Sequence, residues 1–220
     1  MIVLHHASSF WQVSFFLILV VAFQVAIAQF SLDRETKRRW QHALTGQALV
    51  LISYVLAWEG CVAALTVGFG GIWGVRFYQH GLYIKLFGPL LRPQELPKDG
   101  ALPGAFWFLC GTLCCILWFP MPIARYAVAC VSWADPMAAW VGKSLPSPRI
   151  HSSATVAGCV ASLGTAVILG VVWFDLSWPA AIVGGMACSA AEAVPAWNDN
   201  FSIPLATALA VVGATSWLSS

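Results

Sequence analysis

Long apolar runs leave this chain few choices of fold. They lie near residues 9–30, 40–58, 61–79, 101–119, 122–142, 154–174, 178–195 and 201–218. A helix needs about 20 such residues to cross the hydrocarbon core of a bilayer. Within lipid only helices and closed barrels satisfy their own backbone. The runs here are continuous rather than alternating, which selects helices. The expected fold is an all-α, polytopic transmembrane helix bundle of about 7–8 spans. With 60% hydrophobic and 9% charged residues, the chain has little room for a separate soluble domain, so 1–220 reads as one integral membrane domain. Two runs stand apart. The third is Gly-rich and is expected to break at Gly68, Gly70 and Gly71, and the seventh is short and rich in Ala and Gly.

Charge is sorted between the runs. Arg34, Lys37, Arg38 and Arg39 belong to the first gap, Arg76, Lys85, Arg92 and Lys98 to the third, and Lys143 and Arg149 to the fifth. The seventh gap has no base but holds Asn198-Asp199-Asn200. If each run crosses once, all odd-numbered gaps emerge on one side, and cytoplasmic loops collect Lys and Arg. Those gaps also hold nearly every residue capable of chemistry, which predicts an active or binding face at the cytoplasmic surface. The net charge of +2 is no argument for a nucleic-acid partner, and none is expected. The first run ends in Ala26-Ile27-Ala28, like a signal-peptidase site. Its bases follow rather than precede it, so it reads as a retained anchor with the N-terminus outside. Seven cysteines lie in apolar stretches without metal-ligand spacing and read as buried small hydrophobes. Trp40, Trp58, Trp118, Trp173, Trp178 and Trp197 mark segment ends, where amphipathic rings suit the headgroup region. Small residues from Ala180 to Ala191 permit close helix packing. The loop from Gln79 to Gly100, with Pro89, Pro93 and Pro97, has an apolar patch suited to the membrane surface.

Four constellations carry polar chemistry. In the first, Glu35, Arg38, His42 and Gly46 recur at helical spacing, with Arg39 beside them. That face suits a bundle interior or a wet cavity; the simpler alternative is a stop-transfer cluster with snorkelling side chains. In the second, Asp135 lies within an apolar run and is followed by Pro136. An intramembrane acid is a functional candidate, and the proline is expected to kink the helix; satisfaction by neighbouring groups is the alternative. The third runs Glu192-Ala193-Val194-Pro195-Ala196-Trp197-Asn198-Asp199-Asn200. Glu192, Asp199 and Asp135 reach the same face, and such oxygen ligands suit Mg²⁺, which takes one or two carboxylates plus substrate phosphates. Asn200 or Ser202 could instead simply cap the next helix. The fourth, Lys143 to Thr155, places Lys143, Arg149, His151 and several hydroxyls before a helix start, which is either an anion site or a Ser/Pro connector.

At these residues the sequence resembles the CTP-dependent lipid kinases, the dolichol, phytol and diacylglycerol kinase family, distant relatives of phosphatidate cytidylyltransferases. The family's acid, Arg-Lys, His and Gly are matched by Glu35, Arg38-Arg39, His42 and Gly46, with Arg39 in place of Lys. Its Gly-Asp element is matched from Ala134-Asp135 to Gly142, and its closing motif by Glu192-Ala193, Asp199-Asn200 and Ile203-Pro204-Leu205. Leu102 to Phe108 resembles its small-residue and aromatic entry to a middle span. One departure stands out: Ala154-Thr155 occupies the place of a Lys-Ser pair, so either Lys143, Arg149 or His151 substitutes for that lysine, or activity is reduced or lost.

The resemblance implies phosphoryl transfer from CTP to the hydroxyl of a membrane lipid alcohol, dolichol, phytol, farnesol or diacylglycerol. It gives Asp135, with Glu192 or Asp199, as Mg²⁺ or catalytic carboxylates. Arg38 and Arg39 go to the phosphates and His42 to the lipid hydroxyl or a carboxylate. Gly142, Lys143, Arg149, His151 and Asn200 belong to the nucleotide side. CTP rather than ATP follows from the resemblance alone, since no Walker-type loop is present. The implied home is the endoplasmic reticulum membrane, with plastid or bacterial inner membrane as alternatives. A cytidylyltransferase-like enzyme and a noncatalytic lipid-binding relative are the competing readings.

Overall fold

The computed structural model describes residues 2–96, 100–151, 154–194 and 198–218, so Pro97, Lys98, Ser152, Ser153, Pro195, Ala196 and Trp197 of the motifs above lie outside the described residues. The all-α expectation holds. The helices are α1 (Ile2–Gln29), α2 (Arg34–Val55), α3 (Trp58–Tyr78), α4 (His80–Phe87), α5 (Gly104–Trp118), α6 (Met121–Ser144), α7 (Val156–Ile168), α8 (Trp178–Ala193) and α9 (Asp199–Leu218). A small antiparallel hairpin of β1 (Arg149–His151) and β2 (Ala154–Thr155) interrupts them, with Arg149 opposite Thr155 and His151 opposite Ala154. Every apolar run contains a helix. Among the described residues, three helical stretches are long and apolar enough to cross a membrane: Trp58–Tyr78, Val156–Trp173 and Asp199–Leu218. Three of the others fall short for identifiable reasons. α5 has 15 residues, α8 has 16, and α2 opens with a charged turn.

Two expectations about the third run are corrected. α3 continues through Gly68, Gly70 and Gly71, because a glycine inside a helix costs only about 1 kcal/mol relative to alanine. Arg76 is likewise no loop residue: it lies in the last turn of α3 and is buried. The following loop is part helical, with α4 and the short 3₁₀ turns Gly88–Leu90 and Pro93–Glu95. Leu82 and Ile84 are exposed there, while Tyr83, Leu90 and Leu91 are buried.

The chain divides into two compact units, Met1–Leu109 and Cys110–Ser220. In the first, α1 packs on α2, α3 and α4. Ala43, Gly46, Val50 and Ser53 are buried on α2 at intervals of three and four residues, the stripe a packed helix requires. Gln24 on α1 adds polar bridges to Gln41 and Thr45 on α2.

In the second unit α6 packs against α7, α8 and α9. Its residues from Tyr126 to Ser132 are buried on every side, as a central helix should be. The Tyr126 hydroxyl donates to the Ala166 carbonyl at 3.1 Å, which satisfies the one polar atom of a buried ring. α6 runs through Pro136 to Ser144, so the proline does not end the helix. Ala180, Ala181, Gly184, Gly185 and Cys188 form a buried small-residue face on α8, and the Trp rings at 58, 118, 173 and 178 are exposed at helix ends. All seven cysteines are free.

Candidate functional site

The basic cluster of the first unit is held by a cap and by one acid. Asp33 precedes α2 and accepts from the Thr36 N–H at 3.0 Å, which satisfies an otherwise unpaired donor of the first turn. The Thr36 hydroxyl, and after it that backbone bond, hold the Asp33 carboxyl below its ordinary pKa. Glu35, in the first turn of the helix, takes Arg38 at 3.1 Å and Arg39 at 3.3 Å through separate carboxylate oxygens. The side chains of Arg38 and Arg39 are 19% and 13% exposed, against 40% for Glu35. Two guanidiniums are thus pre-oriented by one carboxylate that faces water more than they do. Burial pulls the Arg38 pKa below its ordinary value, the Arg92 charge adds to this, and Glu95 and Glu35 oppose it. Arg38 stays charged, because a guanidinium does not lose its proton in proteins. His42 continues the face and packs edge-on against Phe108, ring centroids 4.6 Å apart.

A second polar arrangement in this unit was missed by the sequence reading. The Arg76 guanidinium donates to the carbonyls of Glu95 and Ala101, both at 2.9 Å, and lies over the rings of Trp73 and Tyr83. Burial raises the Tyr83 pKa, and the neighbouring Arg76 lowers it. The buried Glu95 carboxylate accepts the backbone N–H of Arg92 at 2.8 Å and of Gly104 at 3.2 Å. A signal was available: an arginine late in an apolar run is expensive unless it is paired inside the protein.

In the second unit Asp135 lies on α6, Glu192 on α8 and Asp199 on α9. Asp135 is half-buried on α6. It shares a helix stripe with Ala138 and Gly142, three and seven residues on. That stripe meets α7 at close range. A Cβ on Gly142 would lie 2.7 Å from Thr155 Oγ1, and one on Gly158 would lie 2.8 Å from the Ala138 carbonyl oxygen. Gly142 therefore acts here as a packing glycine. Thr155 caps α7 by accepting from the Gly158 N–H at 3.1 Å. Val156 N–H goes to the Pro148 carbonyl and Ala157 N–H to Ser147 Oγ. The first three donors of α7 are thus filled by the chain itself, so the backbone part of the expected anion site is a connector cap. The side chains of Lys143, Arg149 and His151 remain exposed, without an ion pair among the described residues. Ala154, where the family lysine is expected, is buried in β2.

Ser189 on α8 donates to the Cys159 carbonyl at 3.0 Å, and Glu192 lies one turn further along the same face. Its Oε2 is buried with no hydrogen-bond partner among the described residues, and the charge of Asp199 acts on it electrostatically. Asp199 is exposed in the first turn of α9. The cap of α9 is neither Asn200 nor Ser202. Asn198 serves instead: its Oδ1 accepts from Asn200 N–H at 3.2 Å, and its carbonyl accepts from the Ser202 hydroxyl at 3.1 Å. The Asn200 carbonyl would lie 2.8 Å from a Cβ at Gly111, which fixes a close approach of the α9 start to α5. Among the described residues no group of three or more His, Cys, Asp or Glu comes together as a metal site, so Asp135 is not gathered with Glu192 and Asp199 into one ligand set.

No family model matches the chain, and no solved structure gives a significant match. Among curated proteins, CTP-dependent diacylglycerol kinase 1 of Eremothecium gossypii is 26% identical over 156 residues, covering 58% of this chain and 48% of that protein. CTP-dependent diacylglycerol kinase 1 of Saccharomyces cerevisiae is 22% identical over 156 residues, covering 58% and 53%. Over the matched stretch the chain is similar to CTP-dependent diacylglycerol kinases. It spans about half the length of the curated relatives it matches. The resemblance read from the ordered motifs is thereby borne out at the level of the family.

Proposed function

We propose that this chain acts as a membrane lipid kinase, moving the γ-phosphate of CTP to the hydroxyl of a lipid alcohol, with diacylglycerol the first acceptor to try and isoprenoid alcohols the next. The observation that carries the reading is its similarity to two CTP-dependent diacylglycerol kinases. The guanidinium pair on Glu35 supports it, because phosphoryl transfer depends mainly on positioning and charge neutralisation. In this reading all eight apolar runs cross the membrane as parts of one domain, and the charged first turn of α2 lies outside its run. The active face is cytoplasmic and the membrane that of the endoplasmic reticulum, with plastid or bacterial inner membrane as alternatives. A lipid acceptor stays in the bilayer while the nucleotide arrives from water, which favours a site at that boundary.

The lipid hydroxyl oxygen attacks the γ-phosphorus and gives up its proton to water, the bond from that phosphorus to the β–γ bridging oxygen breaks, and CDP leaves. Arg38 and Arg39 hold phosphate oxygens through forked donors that carboxylate or phosphate can accept two at a time. His42, its ring steadied by Phe108, orients the acceptor hydroxyl. Asp135 acts as a catalytic carboxylate. Lys143, Arg149 and His151 stand in for the missing lysine, with Gly142 and Asn200 shaping the nucleotide side. Mg²⁺ fits the Glu192–Asp199 pair, since one carboxylate oxygen is buried without a donor and a second acid acts on it. When bound, it would neutralise phosphate charge and take its remaining ligands from phosphate and water.

The test uses purified protein in detergent with γ-labelled CTP, Mg²⁺ and a panel of diacylglycerol and isoprenoid alcohols. Label on one lipid is the expected result and names the acceptor. CDP-lipid and pyrophosphate formed from phosphatidate would establish the cytidylyltransferase instead. Neither turnover nor nucleotide binding would leave a noncatalytic lipid-binding relative.

A further inference from the structure

Arg76 and Glu95 are only 5% and 7% exposed, and each binds backbone. Arg76 takes the carbonyls of Glu95 and Ala101, while Glu95 takes the N–H groups of Arg92 and Gly104. Arg76 therefore fastens this stretch of chain to the end of α3, and Glu95 ties the stretch to itself. Buried charges are poor stabilisers compared with well-packed apolar residues, so such an arrangement calls for a purpose in geometry.

The residue held at the mouth of this clamp is Arg92, whose backbone is tied to Glu95 and whose side chain is exposed. α2 packs against the Gly88–Leu90 turn just before it. Arg92 has no ion pair among the described residues, and its charge is felt at Arg38. Two like charges held near each other favour an anion that both can contact.

We propose that the Arg76–Glu95 clamp is a positioning device and that Arg92 is the residue it positions, a further guanidinium that works with Arg38 on the phosphate oxygens of the nucleotide. This rests on the kinase reading above and adds a residue that the motifs did not single out. The clamp acts only through Arg92.

The experiment is steady-state kinetics of the full chain with CTP and diacylglycerol. Arg92→Ala should raise KM for CTP about tenfold, the effect of one charge-assisted contact, and leave KM for diacylglycerol within about twofold. Arg92→Lys should recover part of the loss, because it keeps the charge without the fork. Lys85→Ala, an equal loss of charge on α4, should have no such effect. Glu95→Gln should raise KM for CTP in the same direction, and the double variant with Arg92→Ala should be no worse than Arg92→Ala alone. An unchanged KM for CTP in Arg92→Ala overturns the proposal, and so does an effect matched by Lys85→Ala. Full additivity overturns the clamp's part in it. Wild-type turnover with an indifferent Arg92→Ala sinks only this inference, whereas a wild type without turnover sinks the kinase reading. In that case equilibrium binding of labelled CTP decides: weaker binding by Arg92→Ala supports the anion contact, and equal or absent binding removes it.

Discussion

The two units handle charge in opposite ways. In Met1–Leu109 several charged groups are explicitly held: Glu35 binds Arg38 and Arg39, and Arg76 and Glu95 bind four backbone groups. In Cys110–Ser220 the helices approach closely at Gly142 and Gly158, but one Glu192 carboxylate oxygen has no hydrogen-bond partner among the described residues. A guanidinium has several fixed donors and can serve a structural acceptor and a ligand together. A carboxylate meant for a cation has to keep its lone pairs open. On the proposed kinase reading, the phosphate-facing cations belong to the first unit and the metal-facing acids to the second.

The sharpest attack on that division is Asp135→Asn, which keeps the shape of the side chain but removes its charge. Labelled-lipid formation should fall at least about 100-fold, on the scale of losing one group that stabilises a transition state, while membrane insertion is unchanged. Unchanged turnover would remove Asp135 from the mechanism. Arg38→Ala and Arg39→Ala should each lower kcat/KM for CTP by about 10- to 100-fold, and Arg38→Lys should not fully restore it. Equal loss of diacylglycerol binding would assign these cations to the lipid instead.

Chelation should abolish turnover, and Glu192→Gln should move the Mg²⁺ activation midpoint to higher concentration. A midpoint that does not move would count the buried Glu192 oxygen as a packing feature. The smallest expected effect is on stability. Gly142→Ala places a methyl 2.7 Å from Thr155 Oγ1 and should cost about 1–3 kcal/mol in thermal unfolding. An unperturbed variant would show that the α6–α7 contact can give way, contrary to a tightly packed second unit.

Much of the helical order was legible because hydrophobic length and continuity are local properties. Each apolar run became a helix, and Glu35, Arg38 and Arg39 met on one turn because 3.6-residue spacing brings them together. Helix limits were less legible, since they depend on which neighbour supplies a cap. Thr155 and Asn198 do so, whereas Asn200 and Ser202 do not. The break expected in α3 failed because glycine weakens a helix without having to end it.

By itself the sequence determined a helical membrane chain, the sorting of its bases, and a set of motifs ordered well enough to reveal its relatives. The tertiary structure decided what local pattern could not contain. Arg76 and Glu95, 19 residues apart, bind the same piece of backbone, and Gly142 meets Thr155 across two helices. Hydrogen bonds and close packing join residues distant along the chain, and only folding brings those atoms within reach of one another.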